Sequence, residues 1–582
     1  MRLSERYIVT CLFVVLVLLS VYVMRGVLQT GLTDISNIPN IRVISDVLKR
    51  RMITAEEFRK NSDLKTGNPL IDNYGKNDPL AVGENGRGVA FESDDMEKVR
   101  NVLETHRVNT LASDRIPLNR IVPDSRFQEC QGISYDHDLP TASIIIPFHN
   151  EWPSILLRTV YSIINRTPRH LLQEILLLDD DSSMSELKGN LSTYVSEKFP
   201  EGLVRVVRMP GRMGLIKARQ MGWKMAKGDV IVIFDSHMEV NIDWLQPLLT
   251  EIKKDRKTVA LGTLDYIQAE TMQYTWHENY VTRYGFDWRL IFFETFFRPD
   301  HYGEGNHSPK PGSVMVGTAY AVDKTYFAEI GGFDEKMKVW GGENLEIAWR
   351  VWMCGGRLVH LPCSKVGHIA RVQPYKFPGG RRETEVFNYK RAVDVWVDPP
   401  YKKFIYDYFP EMESMNVGDL SERLAIKERL GCKSFTWFLE NHWPELNVYD
   451  KNAVAWGSAR NPASNRCLDN HQYLFQAAQP LFAEQCHFHY ATQGFTWTTD
   501  GLLRTSLQCV VVKELQVGGH PMLEDCLIGS KDKWSHVKGG MLQHKASQLC
   551  LGMDDQGLIM NACFPDDESQ KWIFTHYMYE PQ

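Results

Sequence analysis

Asp235-Ser-His237 closes an apolar run, Asp229-Val-Ile-Val-Ile-Phe234. A run of β-branched residues without alternation reads as a strand buried on both faces of a parallel sheet. A carboxylate and an imidazole then stand at the strand's carboxyl edge, where open α/β sheets bind ligands. An Asp oxygen with a His nitrogen suits a divalent ion such as Mn²⁺, and an ion held there can carry the diphosphate of a nucleotide. By itself the triplet is not specific; its partners decide. Pro362-Cys-Ser-Lys-Val-Gly-His368 supplies a second imidazole, so His368 can complete a metal set with Asp235 and His237, and Arg371 follows it. Val339-Trp-Gly-Gly-Glu-Asn344 puts a tightly turning Gly pair beside a large aromatic and a carboxylate. Gly211-Arg-Met-Gly-Leu-Ile-Lys-Ala-Arg219 opens a helix with Arg212 and Arg219 on it. Those two either fork onto phosphate or carboxylate, or form an ordinary solvated basic face.

The elements that must hold these groups alternate. Ser143-Ile-Ile-Ile146 reads as a strand, Pro147-Phe-His-Asn-Glu151 as a loop, and Ser154–Asn165 as a helix. Glu174-Ile-Leu-Leu-Leu178 is a second strand, ending in Asp179-Asp180-Asp181. Strand–helix–strand order predicts a mostly parallel sheet covered by helices, with three polar carboxyl-edge loops converging on one crevice. Residues 25–110 are polar and turn-rich, as at Gly83-Glu-Asn-Gly-Arg-Gly88, and read as a stem with one helix near Asp94–Thr105. Tyr7–Met24 carries no charge and is about long enough to span a bilayer. Arg2 and Arg6 precede it and no small-residue cleavage site follows, which favours an uncleaved signal-anchor over a secretion signal.

At 582 residues the chain needs two or three domains. A net charge of -6 without a basic stripe argues against nucleic-acid binding. Of 11 cysteines, Cys11 lies in the apolar span, and the remainder is an even set, as an oxidising lumen requires. Cys467, Cys486, Cys509, Cys526, Cys550 and Cys563 fall as successive pairs, each closing a short loop. No C-x-x-C spacing points to structural zinc.

Phe148-His-Asn-Glu151, Asp235-Ser-His237, Trp340-Gly-Gly-Glu-Asn-Leu-Glu346, Cys354-Gly-Gly356 and Val366-Gly-His368 stand in the order and spacing of the polypeptide N-acetylgalactosaminyltransferases, which residues 110–582 resemble. The resemblance implies an α/β GT-A domain over 111–445 with a Rossmann-like, mostly parallel sheet. A linker over 446–455 and an all-β ricin-type β-trefoil over 456–582 would follow. A cytoplasmic tail over 1–6, a single-pass transmembrane helix over 7–24 and a Golgi lumen for the rest complete the expectation. It further implies Mn²⁺, UDP-GalNAc as donor, Ser/Thr hydroxyls of proteins or glycopeptides as acceptors, and retention at the anomeric carbon. Carried over by position, Asp235, His237 and His368 are metal ligands, and His149, Asp180, Arg212, Arg219, Arg371 and Tyr375 surround the donor. Glu343, Trp340 and Asn344 lie at the sugar and acceptor, with Trp340 as the gate. The expected disulfides are Cys130–Cys363, Cys354–Cys432, Cys467–Cys486, Cys509–Cys526 and Cys550–Cys563.

The chain also departs from that family. The usual Met-Ala-Gly-Gly beside the donor sugar is Met315-Val-Gly-Thr318, so Thr318 and Val316 add bulk where Gly lets backbone approach a ligand. Met213 replaces a Glu, and Phe286-Asp-Trp-Arg289 ends in Arg rather than Asn. In the trefoil, Cys467-Leu-Asp469 keeps a lectin Asp, with Thr492 at the usual Asn position, while the other two repeats lack the Asp. The repeats end in aromatics at Gln493-Gly-Phe-Thr-Trp497, Asp532-Lys-Trp534 and Gln570-Lys-Trp572, whose Trp residues are expected in the core. Two readings follow: an active Mn²⁺-dependent transferase, or a catalytically silent lectin or chaperone-like binder on the same scaffold.

Overall fold

The computed structural model describes residues 80–578, apart from residues 304, 373–376, 378 and 472–477. The apolar span at 7–24 lies outside them. Among the described residues no helix is long and apolar enough to cross a membrane.

The apolar runs become a single twisted sheet. Its spatial order is Lys310–Pro311, Arg357–Ile369, Thr258–Ile267, Tyr320–Asp323, Val230–Ile233, Ala142–Phe148, Leu172–Asp179 and Val204–Arg208. Ala142–Phe148 pairs in parallel with Leu172–Asp179 on one side and Val230–Ile233 on the other. Tyr320–Asp323 runs antiparallel between Val230–Ile233 and Thr258–Ile267. The helices Pro153–Arg166, Leu215–Met225, Gln246–Lys254 and Glu343–Met353 accompany these strands. Val230–Ile233 is wholly buried, as its unalternating sequence demands.

The helix expected near Asp94–Thr105 is present as Met96–His106. The stretch read as stem also packs over residues 80–110: Val89 and Val108 bury with Ile155, Ile267 and Tyr274 in one cluster. A Cβ on Gly86 would meet Pro123 and Tyr274 at 2.7 Å, so the apparent linker turn is a close backbone contact. Apolar residues spaced this sparsely give no period to read. The bonds Cys130–Cys363 and Cys354–Cys432 tie the catalytic-domain elements together, and three more staple the C-terminal repeats: Cys467–Cys486, Cys509–Cys526 and Cys550–Cys563.

Those repeats form a β-trefoil of short antiparallel strands from Ala453–Asn461 onward. Leu468, Val510 and Leu551 each follow the first cysteine of a pair, and all three are fully buried. Trp534 and Trp572 fill the same core and donate to the Val510 and Leu551 carbonyls. In the first repeat Phe495, not Trp497, takes that place; Trp497 is half-buried and donates to the Trp534 carbonyl. Catalytic domain and trefoil meet through aromatic rings. Phe404, on the helix Pro399–Tyr408, lies 5.4 Å from Tyr449, 6.2 Å from Trp456 and 6.3 Å from Tyr490. Because Phe404 is 2% exposed and shared by both domains, Phe404→Ala is expected to remove roughly 3–5 kcal/mol of stability. A calorimetric scan should show both domains shifting; an unmoved trefoil transition would contradict a shared junction.

Candidate active site

Four strand ends converge on a cleft of ≈ 230 Å³. Ala142–Phe148 runs into His149 and Glu151, Leu172–Asp179 into Asp180, and Val230–Ile233 into Asp235 and His237. Arg357–Ile369 brings His368 up beside them, pairing it with Met238. Strand order thus assembles groups 133 residues apart in sequence, from Asp235 to His368 (368 − 235).

Asp235, His237 and His368 each offer a donor atom, all within 4.8 Å of one another. His368 Nε2 is 3.4 Å from Asp235 Oδ2, and it is buried without a hydrogen-bond partner among the described residues. His237 donates from Nδ1 to Glu151 Oε2 at 2.9 Å, the tautomer that leaves Nε2 for a ligand. One hard oxygen and two imidazoles, one of them with an orphaned buried nitrogen, fit a borderline divalent ion such as Mn²⁺. The protonation states agree. Burial alone would raise the Asp235 carboxyl, but the His368 contact and the Arg219 charge hold it well below the usual carboxylate range. Burial, with the Arg371 charge, lowers His237, the direction that favours the neutral imidazole a metal ligand needs. Glu151 is drawn down to about 2: burial opposes ionisation, but Arg371 and His237 prevail.

Arg219 links the metal set to the Trp-Gly-Gly-Glu-Asn motif. Its guanidinium donates to Asp235 Oδ1 at 3.2 Å and to Glu343 Oε1 at 3.0 Å, and it is buried. Glu343 Oε2 accepts from the Gly341 amide at 3.0 Å. Asn344 Nδ2 donates to the Met315 carbonyl at 2.9 Å, holding the loop 315–318 against the motif. Gly214 has φ +93, and a Cβ there would lie 2.4 Å from Val339 Cα; glycine lets the basic loop abut this motif. Elsewhere in the cleft, Asp180 accepts from the Met213 and Gly214 amides at 2.6 and 2.8 Å and pairs with Arg212. His149 Nδ1 lies 2.7 Å from the Asp180 carbonyl, and burial together with the Arg212 charge lowers it to about 4. Trp340 sits 6.4 Å from Phe377, with Arg381 5.1 Å from its ring. Arg371 turns to Glu151 at 2.5 Å and to the His106 carbonyl at 3.0 Å. Tyr375 lies outside the described residues.

Thr318 is 4% exposed, and its Oγ1 accepts from the Asp235 amide at 2.9 Å. Thr318 and Val316, the two positions where bulk is added, both line the cleft. Arg289 lies away from it, buried and paired with Asp287. In the trefoil, Asp469 accepts from the His471 amide, Thr492 Oγ1 and Gln493 Nε2 at 2.8, 3.2 and 3.0 Å. Three of its roughly four acceptor positions are therefore taken by the protein. Glu151 stands in the Phe148-His-Asn-Glu151 motif with no role legible from its sequence; its contacts make it the group that orients His237. A carboxylate just past a buried strand was the available signal.

Residues 143–330 match Glycosyl transferase family 2, residues 301–374 the N-terminal domain of galactosyltransferase, and residues 455–572 the Ricin-type beta-trefoil lectin domain. Polypeptide N-acetylgalactosaminyltransferase 13 of Rattus norvegicus is 38% identical over 502 residues, 85% of this chain and 89% of that protein. Polypeptide N-acetylgalactosaminyltransferase 10 of Homo sapiens is 35% identical, covering 89% and 88%. The crystal structure of GalNAc-T7 with UDP, GalNAc and Mn²⁺ superposes with a TM-score of 0.61 at 32% identity, covering 86% of this chain and 93% of that one.

Because Glu151 fixes the His237 tautomer, Glu151→Gln should weaken Mn²⁺ binding about 10- to 100-fold. Titration followed by the electron paramagnetic resonance of free Mn²⁺ reads this directly; unchanged affinity would contradict the orienting role.

Proposed function

The chain belongs to the polypeptide N-acetylgalactosaminyltransferase family, and on that premise we propose that it transfers GalNAc from UDP-GalNAc to Ser/Thr hydroxyls of proteins, with retention. The observation that carries this reading is the metal-ligand triad Asp235, His237 and His368, joined through Arg219 to Glu343. Bound by that triad, Mn²⁺ would supply Lewis-acid neutralisation of the diphosphate leaving group.

The residues around it do the rest. His149, Asp180, Arg212, Trp340, Glu343 and Asn344 line the same cleft; on this reading the first three meet the nucleotide and the last three the sugar. Arg371 lines the same cleft and brings positive charge to where the departing phosphate gathers negative charge. Retention has two routes: a double displacement through a carboxylate, or attack of the acceptor on the face the phosphate leaves. Glu343 has one oxygen against a buried guanidinium and the other on an amide, an arrangement that lowers its nucleophilicity and suits it to orient the sugar. That favours front-face attack: the acceptor oxygen–C1 bond forms as the C1–phosphate bond breaks, and the hydroxyl proton passes to the departing phosphate oxygen.

The same reading includes a Golgi membrane location, with Tyr7–Met24 as a type II anchor and the catalytic domain luminal. Its support is the uncharged run itself, flanked by Arg2 and Arg6. The silent-binder alternative rests on Thr318 and on the eroded trefoil motifs; against it stand the intact Asp235, His237, Glu343 and His368.

Turnover separates the two readings. Incubated with UDP-GalNAc, Mn²⁺ and a pool of Ser/Thr peptides and GalNAc-glycopeptides, the chain is expected to add HexNAc mass, and His237→Ala to abolish the addition. No product with any acceptor, while Mn²⁺-dependent UDP binding persists, would favour the silent binder.

A further inference from the structure

We propose that Thr318 is a positioning residue for the metal site: its hydroxyl completes the sheet ladder at Asp235 and thereby sets the affinity for Mn²⁺. The inference rests on the metal reading given above and goes beyond it in assigning this residue.

The backbone ladder runs out where the ligand begins. Val230–Ile233 pairs in parallel with Ala142–Phe148, and the last bond on that side is Phe234 N–H to the Ile145 carbonyl. On its other side, Tyr320–Asp323 runs antiparallel with Tyr320 opposite Ile233. Extending that register by two residues places position 318 opposite position 235. Backbone pairing cannot extend so far, because Gly317 at φ +94 and Ala319 at φ 53 both turn the chain into the left-handed region. The Asp235 amide is thus left at a buried strand end, where an N–H requires an acceptor.

Thr318 provides it from the side chain, at 2.9 Å. The alternative acceptor, Met238 Sδ at 3.3 Å, is a thioether and accepts weakly. Asp235 is then held at both ends: the Thr318 hydroxyl on its amide, Arg219 and His368 on its carboxylate. The other end of the same loop is fixed by Asn344 on the Met315 carbonyl. A rigid link therefore runs from the Glu343–Asn344 motif through residues 315–318 to the metal carboxylate. Orientation of a ligand by such an outer contact is a recognised determinant of metal affinity.

The test is Mn²⁺ titration by electron paramagnetic resonance on wild type, Thr318→Val, Thr318→Ala and Thr318→Ser. Val keeps the shape and loses the acceptor; Ala provides a second deletion should Val fold poorly; Ser restores the hydroxyl. The expected result is an affinity about 10-fold weaker in Val and Ala, with Ser close to wild type. Transfer activity should follow as a raised Mn²⁺ half-saturation, with kcat recovering at saturating Mn²⁺. Wild-type affinity in both Val and Ala, with wild-type binding intact, would overturn the assignment to Thr318. A wild-type chain that binds no Mn²⁺ would overturn the metal reading beneath it. Weak binding in Ser as well as Val would also overturn it, since shape and not the hydroxyl would then be the cause.

Discussion

Three carboxylates, Glu151, Asp235 and Glu343, gather at one cleft, and each has a guanidinium against it. Arg371 stands against Glu151, and Arg219 is shared between Asp235 and Glu343. A buried charge whose partner is removed costs several kcal/mol, about 3–5 in measured cases. The cluster therefore stands or falls as a unit. Its charge pattern also suits a cation: two carboxylates share one arginine, and Asp235 still has an oxygen facing His368.

The rest of the molecule serves to hold that cluster in register. Arg219 is delivered by a helix that can approach only because Gly214 lies flat against Val339. His368 arrives on the longest strand, Arg357–Ile369, which is anchored by Cys363 to Cys130. Residues 80–110, sparse in apolar side chains, pack as a buttress, and the His106 carbonyl receives Arg371. Even the trefoil contributes rigidity, since its junction with the catalytic domain is a continuous aromatic core around Phe404. The same firmness favours front-face chemistry, because a Glu343 fixed on both oxygens aligns a sugar better than it attacks one.

Much of this was legible in the residues. Asp229–Phe234 announced a doubly buried strand, and Asp235, His237 and His368, not specific as single residues, were brought together by the motifs around them; the structure places their donor atoms within 4.8 Å of one another. The C-terminal cysteine pairs and aromatic endings announced threefold repetition. Other features were not legible, for physical reasons. A period of two or 3.6 cannot reveal a segment that docks through isolated contacts, so residues 80–110 read as stem. Aromatic spacing could not tell Phe495 from Trp497 as the core ring, because both lie on one short strand. The added bulk of Thr318 was legible, but not the hydrogen bond of its hydroxyl to the Asp235 amide, since a sequence shows the size of a side chain and not where it points. Its inward turn depends on the left-handed residues beside it, Gly317 and Ala319.

The central claim is that one divalent ion sits among Asp235, His237 and His368. Anomalous diffraction from crystals grown with Mn²⁺ and UDP, recorded on both sides of the manganese edge, locates it without relying on turnover. The account predicts a single peak per chain within coordination distance of all three side chains, with the diphosphate on its open side. A peak elsewhere, or none at this triad while UDP is bound, would contradict it.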